Sequence, residues 1–359
     1  MIISPYNKPR ITPPDEHPRV MLRRRDFDRI RENLTLPECQ RERALWDMLR
    51  TRSLSDYEAF FVSGQYHSGL CIVIEAKAFS ALINDDAALA KEVAAAALRL
   101  CTNYNPLSDK LMKARFGGHV VHTCALCYDW LYPYFTPEQR EELIAGCERI
   151  LSSTLEMGYP PTKQSPIGSH AAEAQLLRDS LSFAIAVYDE RPDIYAFCAG
   201  RIFDEYVPTY EFFYRARYQL QGPSYGGYRY CFAAWCQLMF AAMSGERVFD
   251  DNFDNMAESL FYLLRPDGEY MRIADDFGES KGKDSYTKRS PATVPMFFAG
   301  ALTGRQMYRS HYFDHYNPLF LVPDKYGRDY YIDGSFSESS VQSAPYFSII
   351  IDGITIIAD

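Results

Sequence analysis

Apolar residues recur at helical spacing along most of the chain, and short polar turns interrupt them. Over 86–102, Ala87, Ala88, Leu89, Val93, Ala96, Ala97 and Leu100 form one broad apolar stripe. Over 136–157 the stripe is Leu143, Ile144, Cys147, Ile150 and Leu151. That segment opens with Thr136-Pro137-Glu138-Gln139: a threonine N-cap, a proline at the first helical position and an acidic first turn. Phe27, Ile30 and Leu34 mark a helix beginning near Arg24. The same spacing predicts helices over 40–53, 67–83, 119–132, 170–189, 193–206, 226–244 and 253–264. Connections are short, as at Asn84-Asp85-Asp86, so consecutive helices read as hairpins. The hairpins recur roughly every 45–55 residues without matching in sequence, which fits none of the standard repeat periods. Hairpins ringing a central cleft suit this better than a solenoid of like repeats. The expected fold is mainly α, an incomplete (α/α) toroid over residues 23–305.

The two ends depart from that pattern. Residues 1–22 carry Pro5, Pro9, Pro13, Pro14 and Pro18 and read as an extended arm. After the turn Arg265-Pro266-Asp267-Gly268 the chain becomes polar, and a further helix is expected over 291–304. Leu319–Val322, Tyr330–Ile332 and Tyr346–Ile351 are strand-like, and Asp352-Gly353 leads to Ile354–Ile357 as the second arm of a hairpin. A hairpin alone cannot bury its faces. Residues 306–359 are therefore expected to be a linker and the first strands of a C-terminal antiparallel β-sandwich that the chain does not complete.

Composition narrows the function. A net charge of −9 argues against a nucleic-acid partner, which needs a basic footprint. An acidic polysaccharide stays open, because a local basic cleft can sit on an acidic protein. No run is long and apolar enough to span a membrane, and the start of the chain does not read as a signal peptide. The nine cysteines fall mostly in apolar helical contexts and read as buried thiols. Cys124-Ala125-Leu126-Cys127 has no second pair to complete a metal site, and neither metal nor cofactor is expected on this chain.

The candidate chemistry lies between Gly168 and Tyr230. His170 and Glu173 are three apart at a predicted helix start capped by Ser169, so they share a face. They read either as a solvated helix start or as a pair that holds a substrate carboxylate. Gln221-Gly222-Pro223-Ser224-Tyr225 reads as a Gly/Pro turn presenting Tyr225 just before the next helix, with Arg229 close by to lower its pKa. Such a tyrosine is either structural or a general base and acid. Gly117-Gly118-His119-Val120-Val121-His122 puts two histidines at a predicted helix start near Arg115. Either His119 lines a cleft and His122 packs, or the two bind a metal. Tyr66, His67 and Asn103 fall at helix ends, where loops can form sugar subsites. His311 and His315 have helical ligand spacing but lack the glutamate of a zinc protease motif.

These segments together resemble the heparinase II/III-like polysaccharide lyases. The resemblance rests on Glu16-His17-Pro18-Arg19-Val20-Met21-Leu22, Tyr128-Asp129-Trp130-Leu131-Tyr132, Gly168-Ser169-His170 through Glu173, the Gln221–Tyr225 segment, and Arg265–Gly268 with Asp275-Asp276, in that order. It implies a toroid followed by a β-sandwich, a homodimer in some members, and a periplasmic or secreted enzyme. It also implies cleavage of a uronate-containing polysaccharide, such as heparin or heparan sulfate, by β-elimination to a 4,5-unsaturated uronate. Tyr225 would act as the acid, either alone or as the base too, and His170 and Glu173 would either hold the carboxylate or assist proton removal. Gln221, Arg229, His119, Asn103 and Tyr66 would bind substrate. The family draws a further histidine and a structural divalent metal from its β domain, and no histidine here follows His315, so this chain alone is expected to be inactive. Two other readings stand beside the lyase: a toroid glycoside hydrolase using Glu173 with Asp275 or Asp276, and a non-catalytic carbohydrate-binding protein.

Overall fold

The structure is a computed structural model. It describes residues 3–36, 39–105, 110–154, 175–216 and 222–254, together with Met256 and Ser259. Within these the protein is mainly helical. The elements are α1 (Phe27–Asn33), α2 (Gln40–Arg50), α3 (Glu58–Ser63), α4 (Ser68–Ile83), α5 (Ala87–Asn103), α6 (Lys110–Trp130) and α7 (Pro137–Thr154). A π-helical segment, Gln175–Ser180, then runs into α8 (Leu181–Ala186). Next come α9 (Pro192–Arg201), a second π segment (Ile202–Tyr206), α10 (Val207–Phe213) and α11 (Gly222–Ser244). None of the helices among the described residues is long and apolar enough to cross a membrane.

The helix signals act as their chemistry requires. Asp86 caps α5, its carboxylate accepting from the amides of Ala88 (3.1 Å) and Leu89 (3.0 Å). Thr136 and Gln139 cap α7 reciprocally: the Thr136 amide donates to Gln139 Oε1 (2.9 Å), and the Gln139 amide to Thr136 Oγ1 (3.2 Å). All five positions of the expected α7 stripe are buried. In α5 the buried face is shifted: Ala87 and Ala88 are exposed in the first turn, and Ala90, Ala94 and Cys101 join the interior. The helix expected over 119–132 instead begins at Lys110, so His119 and His122 lie in its middle rather than at its start.

α4 and α6 form the centre. Every residue of α4 from Ser68 to Ala81 is buried, as is every residue of α6 from Arg115 to Trp130. Helices without a solvent face must be packed on all sides. α4, α5 and α6 pack pairwise, α7 covers α5 and α6, and the π segment and α8 pack on α6. Where α3 turns into α4, Gly64 adopts φ +67°, and a Cβ there would lie 2.0 Å from the Asn103 carbonyl oxygen. The Asn105 amide donates back to Gly64 O at 2.8 Å, joining this turn to the end of α5. Gly64→Ala is therefore expected to destabilise the protein by about 1–3 kcal/mol in urea unfolding, through left-handed strain and the clash together.

The N-terminal arm is built into this core. Ser4 Oγ donates to Ala196 O (3.2 Å), Tyr6 packs edge-on against Phe197, and Tyr195 donates to Ile11 O (2.7 Å), so the arm runs along α9. Arg19 is fully buried. Its guanidinium donates to the carbonyls of Ile185 (2.9 Å) and Ala186 (2.9 Å), satisfying orphan groups at the C-terminal end of α8. Asp129 Oδ2 accepts from the amides of Arg19 and Val20, each at 2.8 Å, and Oδ1 meets His17 Nδ1 at 2.6 Å. His17 stacks on Tyr132 with ring centroids 3.9 Å apart, and Trp130 Nε1 donates to Val20 O at 3.0 Å. The Glu16–Leu22 and Tyr128–Tyr132 motifs are thus two halves of one buried lock.

Candidate functional site

A second polar cluster lies between α4, α6, the first π segment and α8. Glu75 stands out on α4, a fully buried carboxylate in an otherwise mostly apolar helix. Its Oε1 accepts from Thr123 Oγ1 (2.6 Å) and meets His119 Nε2 at 3.2 Å. The other nitrogen of His119 meets the hydroxyl of Tyr66 at 2.8 Å, and the Tyr66 ring stacks on Phe116 with centroids 4.2 Å apart. Tyr66 is only half-buried, so a hydrogen-bonded chain runs from a partly exposed phenol through an imidazole to a buried carboxylate.

The π segment supplies Arg178 and Asp179. The two are consecutive yet both buried, which requires packing on more than one side of the segment. Single π turns inside helices occur frequently at functional sites. Arg178 Nε donates to Asp179 Oδ1 at 2.5 Å, and the guanidinium carbon sits 4.8 Å from the centre of the Phe232 ring on α11. Gly118 on α6 makes room for the carboxylate, since a Cβ there would lie 2.3 Å from Asp179 Oδ2. His122 Nδ1 meets Ser182 Oγ at 2.9 Å, and its ring is edge-on to Trp235.

Burial sets the electrostatics. It raises the pKa of Asp179 even though Arg178 and His119 pull it down. It holds His122 well below the ordinary imidazole value, with Arg178 and His119 adding to the effect. Glu75 Oε2, His122 Nε2, both Arg178 Nη atoms and Asp179 Oδ2 have no hydrogen-bond partner among the described residues. Buried polar atoms are normally satisfied, so these five mark where partners beyond the described residues would be received. A consequence for pH follows from His122. The unfolded chain takes up a proton near pH 6.5 that the fold refuses, so stability falls as pH drops below that value, by up to about 1.4 kcal/mol per unit for one proton. His122→Gln is expected to flatten the slope between about pH 6.5 and 5 in urea unfolding.

Of the residues singled out in the sequence, His170, Glu173 and Gln221 lie outside the described residues, as do Asp275, Asp276, His311, His315 and the strands expected after residue 306. Tyr225 is in the first turn of α11, which begins at Gly222. The Gly/Pro segment is therefore helical at this point and not a turn that precedes the helix; proline is tolerated there because first-turn amides have no intrahelical partner. Arg229 follows one turn later and is fully buried. His119 and Tyr66 are brought together directly, but both ring nitrogens of His119 are engaged by protein groups. Asn103 is exposed at the end of α5, where its Nδ2 donates to Phe61 O at 3.1 Å. Glu75, Arg178 and Asp179 were not anticipated. The available signal was a charge inside an apolar run, in Leu70–Ala76 and again in Leu176–Phe183. No protein-family model matches the chain, and no curated protein matches it.

Proposed function

We propose that the protein is a polysaccharide lyase that cleaves a uronate-containing, acidic polysaccharide by β-elimination. It would be built as the helical toroid of a heparinase II/III-like enzyme, with residues 306–359 opening a β-sandwich. The observation that carries the reading is the buried ionisable cluster with its unsatisfied atoms, formed around a π turn two residues downstream of Glu173. Buried titratable groups with shifted pKa values are the environment that a site neutralising a carboxylate and moving a proton uses.

In this reading the hydrogen on the carbon next to the uronate carboxylate is too weakly acidic to be removed until that carboxylate is neutralised. His170 and Glu173 hold the carboxylate, with one shared proton. Tyr225 removes the carbon-bound proton and delivers a proton to the leaving glycosidic oxygen. Gln221 and Asn103 position the sugar, whereas Arg229, fully buried, does not meet substrate directly. Tyr66 meets substrate at the exposed end of the Tyr66–His119–Glu75 chain, and His119 fixes its hydroxyl. The structural metal that the resemblance implies belongs to the β domain. Among the described residues one grouping of metal-ligating side chains exists, three buried thiols, and it does not match a hard divalent structural ion. No step here depends on a metal. The family likeness carries the periplasmic or secreted location and the homodimer.

The decisive assay offers a panel of uronate polysaccharides to the protein. The lyase reading expects ultraviolet absorbance from an unsaturated uronate with at least one substrate. Saturated products from the same panel would make the protein a hydrolase, and binding without turnover would make it a carbohydrate-binding protein.

A further inference from the structure

Cys101, Cys124 and Cys147 come from α5, α6 and α7, and their sulfur atoms all lie within 4.8 Å of one another. All three are fully buried, at the point where these helices pack pairwise. Gly146 makes the approach of α7 possible, because a Cβ there would lie 2.9 Å from Cys101 Sγ. Arg149 Nη2 donates to the carbonyls of Cys101 (2.9 Å) and Tyr104 (3.0 Å), tying the end of α5 to α7. Cys127, the other half of the CxxC, is not part of the trio.

We propose that Cys101, Cys124 and Cys147 form a three-coordinate, all-sulfur site for Cu(I). Three sulfurs around one ion at a metal–sulfur distance of about 2.3 Å stand about 4.0 Å apart, so closure needs at most about 0.5 Å of movement per sulfur. The donor set selects the ion. The grouping holds no histidine or carboxylate to complete the four-coordinate shell that zinc takes. Thiolates favour soft Cu(I). Binding is ligand exchange without change of oxidation state: each thiol that becomes a thiolate releases one proton to solvent, and Arg149 offsets part of the charge. Entry is through the last turn of α5, where Cys101 stands two residues from the end of the helix. The site is separate from the polar cluster and does not rest on the lyase reading.

The test adds Cu(I), held by a weak chelator under anaerobic conditions, to the wild-type chain and to Cys124→Ser, Cys147→Ser and Cys198→Ser. One ion per chain with three sulfur neighbours by X-ray absorption is expected. Affinity should be at least tenfold weaker in the first two variants and unchanged in Cys198→Ser. Equal affinity in all four proteins, nitrogen or oxygen neighbours in the wild type, or Zn²⁺ outcompeting Cu(I) at these cysteines would each overturn the proposal. If the serine variants do not fold, the sulfur count and stoichiometry of the wild type decide.

Discussion

Asp129→Ala is expected to destabilise the protein by about 3–5 kcal/mol, because three buried groups lose their one acceptor at about 1–3 kcal/mol each. Asp129 is fully buried, and its two oxygens take the Arg19 and Val20 amides and the His17 ring. Alanine leaves two buried amides and an imidazole without their acceptor, and each unsatisfied group costs its own desolvation. It also frees the segment that inserts Val20 and Leu22 into the core and brings Arg19 to the end of α8. Asp129→Asn keeps an oxygen for the two amides and loses the carboxylate–imidazole pairing, so about 1–2 kcal/mol is expected. Urea unfolding measures both, and hydrogen exchange at the Val20 amide reports whether the lock itself opens. A loss below about 1 kcal/mol for alanine would show that the arm is held mainly by its apolar contacts.

In the proposed lyase, Tyr225→Phe is expected to lower turnover on a uronate substrate by about 10²–10⁴-fold, the usual contribution of a positioned general acid–base group. KM should change little, because phenylalanine keeps the ring and removes only the hydroxyl. The position suits the role. Residue 225 is in the first turn of α11, where the helix dipole favours a negative charge, and buried Arg229 follows one turn later. Unchanged turnover in Tyr225→Phe would remove this tyrosine from the chemistry, and with it the main residue assignment that the family likeness supplies.

How far the sequence could be read depended on what each residue's role requires. Helix caps act over three or four residues, so Thr136 with Gln139 and Asp86 ahead of α5 declared themselves locally. The α7 stripe did so too, because one face of that helix meets solvent and the other the core. In α4 and in α6 from Arg115 onward no solvent-facing side remains, so periodicity places the helices but does not fix where α6 starts, and His119 lies in its middle. Tyr225 was placed in a turn because glycine and proline there outweigh helix propensity locally, whereas the structure continues the helix through them.

By itself, then, the chain determined what depends on neighbours in sequence: mainly helical structure, short connections between helices and most helix limits. Tertiary structure decided which distant residues meet. Asp129 became the anchor of the arm through packing across more than a hundred positions. Glu75, His119 and Thr123 joined across α4 and α6, and three cysteines converged from three helices. Side-chain chemistry can be read one residue at a time, but burial and convergence are properties of the packed chain, and those two quantities turn a scattered histidine, carboxylate or thiol into a site.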